Sequence, residues 1–152
     1  MSGKDPIRFF KDKVSFRFHD KEGVKKWLHR IIKKNKGKTG TLNYIFCSDK
    51  EILRLNKTFL KHNYYTDIIT FDNSEVKSEI SADIYISADS VRKNAEHFKT
   101  TFRNELLRVM VHGLLHLFGQ KDKTLKEKLE MRELEDLWLD DYLKNKFKAR
   151  AK

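Results

Sequence analysis

Val109-Met110-Val111-His112-Gly113-Leu114-Leu115-His116-Leu117-Phe118-Gly119-Gln120-Lys121-Asp122 sets two histidines inside an otherwise apolar run. Thr100 and Thr101 precede it, so a long helix runs from there to Phe118. Gly119 is its natural C-terminal stop, because only glycine enters the left-handed turn there without strain. A helix this apolar is central rather than a surface element. The rest of the chain must supply what covers it.

Outward from this helix, the remaining elements follow from periodicity. Val14-Ser15-Phe16-Arg17-Phe18-His19 alternates apolar and polar and predicts a strand. Asp20 is placed to cap a helix that carries Val24, Trp27, Leu28, Ile31 and Ile32 at helical spacing, ended by Gly37 and Gly40. Thr41 to Cys47 predicts a second strand. Ser48 or Asp49 then caps a helix with Ile52, Leu53, Leu55 and Phe59. Thr66 to Phe71 and Ser81 to Ile86 predict two more strands. Ser87 to Phe98 reads as helix, and Leu125 to Leu143 as a last amphipathic helix. The order βαβαββααα predicts an α+β fold: a single mixed β-sheet of about four strands packed with about five helices. Residues 1–152 are read as one domain with an ordered core over about 14–143. The N-terminal tail holding Pro6 is expected to fray, and the basic tail 144–152 to be flexible.

Composition narrows the function. Eleven Phe, 5 Tyr and 2 Trp among 152 residues can build a core, which excludes wholesale disorder. Lys plus Arg is 33 against 22 Asp plus Glu, a net charge of +11 that points to a polyanionic partner. No apolar run approaches the roughly 20 residues of a membrane span. Met1 to Asp12 has no apolar segment of the secretory kind. Cys47 is the single cysteine, so an internal disulfide and a Cys-rich zinc finger are both excluded. It reads as a small buried strand residue in a reducing, cytoplasmic setting.

His112 and His116 stand at i and i+4, on one helix face and one turn apart. Imidazoles so placed reach a common ion at roughly 2.1 Å each. After the turn at Gly119, Asp122 is close enough to add an oxygen ligand. Three protein ligands leave one position open, the pattern of a catalytic metal rather than a closed structural one. Histidines at this spacing also occur as satisfied core residues. Here Val109, Met110, Val111, Leu114, Leu115, Leu117 and Phe118 surround them, and two unpartnered imidazoles there would be costly. A shared ion removes that cost. The zinc-peptidase pattern HExxH needs a Glu base where this chain has Gly113, so a peptidase mechanism lacks its base.

These residues resemble the YbeY family of bacterial endoribonucleases that mature ribosomal RNA. Its motif is H-G-x-L-H-L-x-G-x-D-H, and His112 to Gly119 matches the first eight positions. Leu55-Asn56 followed by Thr66-Asp67-Ile68-Ile69-Thr70-Phe71 is similar to a second family signature, and Ala82-Asp83-Ile84-Tyr85-Ile86-Ser87 to a third. The resemblance spans about Val14 to Leu143 and implies a metal-dependent endoribonuclease of ribosomal RNA processing and ribosome maturation. It also implies one divalent ion, usually zinc. In this chain the ligands would be His112, His116 and, where the family has its third histidine, Asp122. An anionic ligand shifts the site toward harder ions and makes bound water less acidic. Leu60 stands where the family has an arginine, and Lys61 follows it. Thr70, Asp72 and Ala82 are milder departures.

Lys61, Arg108 and Lys121 are the expected RNA contacts, alongside denser basic stretches from Lys25 to Lys38 and from Lys144 to Lys152. Phe59, Tyr64 and Tyr65 are candidates for base stacking or for packing at the sheet edge. Asp67 and Asp83 read first as strand-end residues that bond local backbone, with Asp67 a second-tier catalytic candidate. His62, His97 and Glu105 are expected to face solvent. The expected partners are ribosomal RNA and, with it, the small ribosomal subunit or a ribosomal protein. The alternative is a non-catalytic assembly factor whose metal only staples the last two helices.

Overall fold

A computed structural model describes residues 5–61 and 66–151. Four strands and five α-helices alternate in chain order: β1 (Ile7–Lys11), α1 (Lys21–Lys34), β2 (Lys38–Cys47), α2 (Asp49–Leu55), β3 (Ile68–Asp72), β4 (Glu79–Ser87), α3 (Ala88–His97), α4 (Phe102–Leu117) and α5 (Leu125–Ala151). A π-helical turn over Asn56–Leu60 continues α2. The single sheet has the order β1-β2-β4-β3. β1 and β4 run parallel to β2, and β3 runs antiparallel to β4. This is the mixed sheet and helix count that the residue pattern predicts.

The first strand is not where alternation placed it. Val14 to His19 has no regular element, and β1 lies earlier, at Ile7–Lys11. The alternation itself is real: Val14, Phe16 and Phe18 turn inward while Ser15 and Arg17 are exposed. Phe16 meets Phe46 edge-on at 5.3 Å, and Phe18 stacks on Phe9 at 4.7 Å. The segment buries its apolar side against the sheet without joining the ladder, because Ile7 to Lys11 already pairs with Leu42 to Phe46. The expected core boundary at Val14 is therefore too late: Ile7 is fully buried. At the other end, α5 continues past Leu143 to Ala151. No Gly or Pro interrupts that stretch.

One sheet face carries the main core. Leu42, Tyr44, Phe46, Ile84 and Ile86 join one buried cluster there with residues of α1 and α4, and α5 packs onto those two helices. A smaller cluster of Cys47, Ile52, Leu55 and Ile69 lies apart from it. Cys47 is buried and free, as a small apolar residue in a strand would be. Gly113 marks where α4 lies closest to the sheet: a Cβ there would come within 2.7 Å of Ile68 Cδ1. That position faces the sheet, so no carboxylate could stand there. His62, Tyr64 and Tyr65 lie outside the described residues.

Candidate metal centre

The end of α4 forms as its sequence requires. Thr101 caps the start, accepting from Asn104 N–H. At the far end Gly119 N–H donates to His116 O at 2.9 Å and Gln120 N–H to Leu115 O at 3.1 Å, with Gly119 at φ +95°. This is a Schellman closure, and the positive φ selects glycine. It sends the chain back along α4, so Asp122 comes beside the histidines. Thr124 then caps α5, and Glu127 returns a bond to Thr124 N–H.

The three expected ligands converge. One donor atom each from His112, His116 and Asp122 lies within 4.8 Å of the others. Asp122 Oδ2 is 3.2 Å from His112 Nε2 and 3.3 Å from His116 Nε2. Ligand atoms roughly 2.0–2.1 Å from a tetrahedral ion stand about 3.3–3.4 Å apart, so both separations suit such a shell. Two neutral imidazoles and one carboxylate are a donor set that a divalent ion accepts. These residues can hold a metal ion.

Glu135 was not singled out in the sequence, and it orients the site. Its Oε2 accepts from His112 Nδ1 at 2.7 Å, and Arg108 Nη1 donates to its Oε1 at 2.9 Å. A carboxylate can only accept, so Nδ1 carries the proton and the Nε2 lone pair is turned toward the ion site. Burial alone would lower the His112 pKa. The hydrogen bond and charge of Glu135, with the charges of Asp122 and Asp67, overcome this and raise it above 6.5. The signal for Glu135 was available. It lies four residues after Met131 and four before Leu139, on the stripe where α5 is buried. A carboxylate on such a stripe is a partner waiting for a cation.

An open cleft of about 440 Å³ leads to the site, bounded in part by Asp67, Glu105, Arg108 and Glu135. Asp67 immediately precedes β3. Burial pushes its carboxyl above the usual range, opposed by His112. Glu105 is not at solvent as expected: it is only 5% exposed, and burial raises its pKa too. Its position one turn before Arg108 on α4 turns it into the cleft. Asp83 departs from the expected strand-end role of bonding local backbone: it lies in the middle of β4 and accepts from the side-chain amides of Asn43 and Asn73.

The three expected RNA contacts separate. Arg108 is held between Glu135 and Asp136, with its side chain 12% exposed, so its charge is already engaged. Lys121 is exposed beside Asp122. Lys61 is exposed at the end of the π-helical turn, in the left-handed region at φ 56°. Leu60 and Phe59 are exposed beside it.

The family described as Endoribonuclease YbeY matches residues 7–143. The chain belongs to the YbeY family. A relative in Cytophaga hutchinsonii named Endoribonuclease YbeY is 52% identical over 133 residues, covering 88% of this chain and 93% of that one. One in Parabacteroides distasonis with the same name is 43% identical over 130 residues, covering 86% and 91%. The fold is shared with the solution structure of a Thermotoga maritima protein, at a TM-score of 0.61 and 30% identity over 95% of this chain and 93% of that one. The YbeY match begins at Ile7, so it includes the early strand β1. Among the described residues no helix is long and apolar enough to cross a membrane.

Proposed function

We propose that this chain is a metal-dependent endoribonuclease that acts in ribosomal RNA processing and ribosome maturation in the cytoplasm. His112, His116 and Asp122 hold one divalent ion, zinc by the nature of the donors. The observation that carries this reading is the convergence of those three donor atoms, two of them from residues that line an open cleft, in a chain of the YbeY family. An ion bound there supplies Lewis acidity to a phosphodiester.

The chain's own residues do the rest. Glu135 holds the His112 ring by Nδ1 and so aims Nε2. Arg108 holds Glu135. Asp67 borders the same cleft with its carboxyl pKa raised by burial, and it is the group placed there to exchange a proton. Lys121, Lys128 and Arg132 are exposed cations around the opening and meet the phosphate backbone. Lys61 adds a further exposed charge. The net charge of +11 draws the polyanion in. The ribosomal small subunit or one of its proteins is the partner that presents the RNA.

Cleavage of a ribosomal RNA fragment tests this directly, with purified protein, chelated protein and His116→Ala side by side. The reading predicts cutting by the intact protein alone. Equal cutting by all three contradicts metal chemistry at this site. Binding without cutting by the intact protein replaces the nuclease with the assembly factor, whose metal joins α4 to α5.

A further inference from the structure

We infer that Phe98 and Arg132 form a base-stacking subsite at the rim of the metal cleft; this rests on the nuclease reading above and names the residues that position the strand. Phe98 is the C-terminal cap of α3 and ends 51% exposed. A single exposed phenylalanine is ordinary. This one is not isolated: with Arg132 and Lys128 it lines the same cleft as His112 and Asp122. The Arg132 guanidinium lies over the Phe98 ring, 5.5 Å from its centroid. The His97 ring meets Phe98 edge-on at 4.9 Å. An exposed ring and a planar cation thus share the cleft with His112 and Asp122, and the His97 ring braces Phe98.

The chemistry of that group fits one kind of ligand. A nucleobase stacks on an aromatic ring or a guanidinium plane, whatever its identity, because every base has a π-face. A base inside a duplex has both faces covered by its neighbours and cannot do so. Arg132 and Lys128 are cations for the phosphates on either side of the stacked base. The cleft floor, by contrast, offers the backbone the carboxyl groups of Asp67, Glu105 and Glu135 and an arginine, Arg108, already engaged by Glu135 and Asp136. A strand entering the cleft is therefore held by its base at the rim and by its phosphate at the ion. The subsite is tolerant of base identity.

A coupled pair of deletions tests this with the full chain loaded with zinc. Affinity is measured by anisotropy on short unstructured 2′-O-methyl RNA, which keeps bases and phosphates and blocks attack by the 2′-oxygen. One nucleotide at a time is made abasic. The wild type should lose roughly 5- to 150-fold in affinity at one abasic position, the range of one stacked base. Phe98→Ala should lose a similar factor on the intact oligonucleotide and nothing further at that position, with zinc affinity unchanged. Phe98→Trp should restore binding, and its added fluorescence should be quenched by RNA. Wild-type affinity in Phe98→Ala, or an abasic penalty that persists undiminished in that variant, overturns the subsite. If RNA binds through Phe98 and the unmodified RNA is never cut, the nuclease reading fails and the subsite stands. If RNA is cut and Phe98→Ala leaves both affinity and KM unchanged, the subsite fails and the nuclease reading stands.

Discussion

Helix α5 meets the rest of the molecule at two junctions built from different materials. Near its C-terminal half, Tyr142 packs edge-on against the fully buried Trp27 at 5.6 Å, and Trp27 Nε1 donates to Trp138 O at 2.7 Å. Polar groups there are matched. Tyr142 OH donates to Asp20 at 2.6 Å and accepts from Arg103 at 2.5 Å, and Arg30 pairs with Asp141 at 2.8 Å. Near its N-terminal half, Glu135 joins Asp67, Glu105 and Asp122 around one cleft. The arginine engaged there, Arg108, is shared between Glu135 and Asp136. The first junction is complete as it stands. The second gathers carboxylates in a chain that is basic overall, and a bound cation would relieve the crowding. One end of α5 closes the core and the other borders the proposed site.

The contrast can be broken from either side. His116→Ala should lower RNA cleavage by about a thousandfold, the scale of losing metal assistance worth several kcal/mol. Its melting temperature without metal should hardly move, since the His116 side chain is 36% exposed. Trp27→Ala should do the reverse. It should cost about 3–5 kcal/mol in denaturant unfolding, while the folded fraction keeps its zinc affinity. Glu135→Gln tests the link between the junctions. It preserves shape and removes the charge behind His112, so zinc affinity should fall about 10- to 100-fold by calorimetry.

Two smaller effects sharpen the electrostatic side. His112 has a folded pKa above its unfolded value near 6.5. Its protonation therefore stabilises the metal-free protein fully below pH 6.5, and this is lost as pH rises through the folded value. The melting temperature of the metal-free protein should fall across that window, and saturating zinc should remove the slope. Glu105 is the opposite case. Its raised pKa means that folding is penalised above that value, and the penalty disappears as pH falls through it. Glu105→Gln should raise the melting temperature at neutral pH by a few degrees, about 2–4 °C per kcal/mol, and have no effect in acid.

The sequence made the long helix, its caps and its pair of facing histidines legible because each rests on local rules. Spacing of four puts His112 over His116, and a glycine at a positive φ brings Asp122 back. The element order was legible for the same reason. What was not legible depended on competition between distant segments. Val14 to Phe18 has the alternation of a strand and its burial, but Ile7 to Lys11 holds the edge of β2 that it would need. Glu105 looked like a first-turn acid at solvent, and only the packing of α4 shows it buried. Glu135 belongs to another helix, and its bond to His112 spans 23 positions. Arg108 reads as a free cation until α5 supplies its two carboxylates.

Zinc titrated calorimetrically into the metal-free full chain tests the central claim most directly, with His112→Ala, His116→Ala and Asp122→Ala beside the wild type. The account predicts one saturable site per chain, weakened at least tenfold in each variant, since each removes a ligand. No saturable binding, or binding that all three variants retain unchanged, would contradict it.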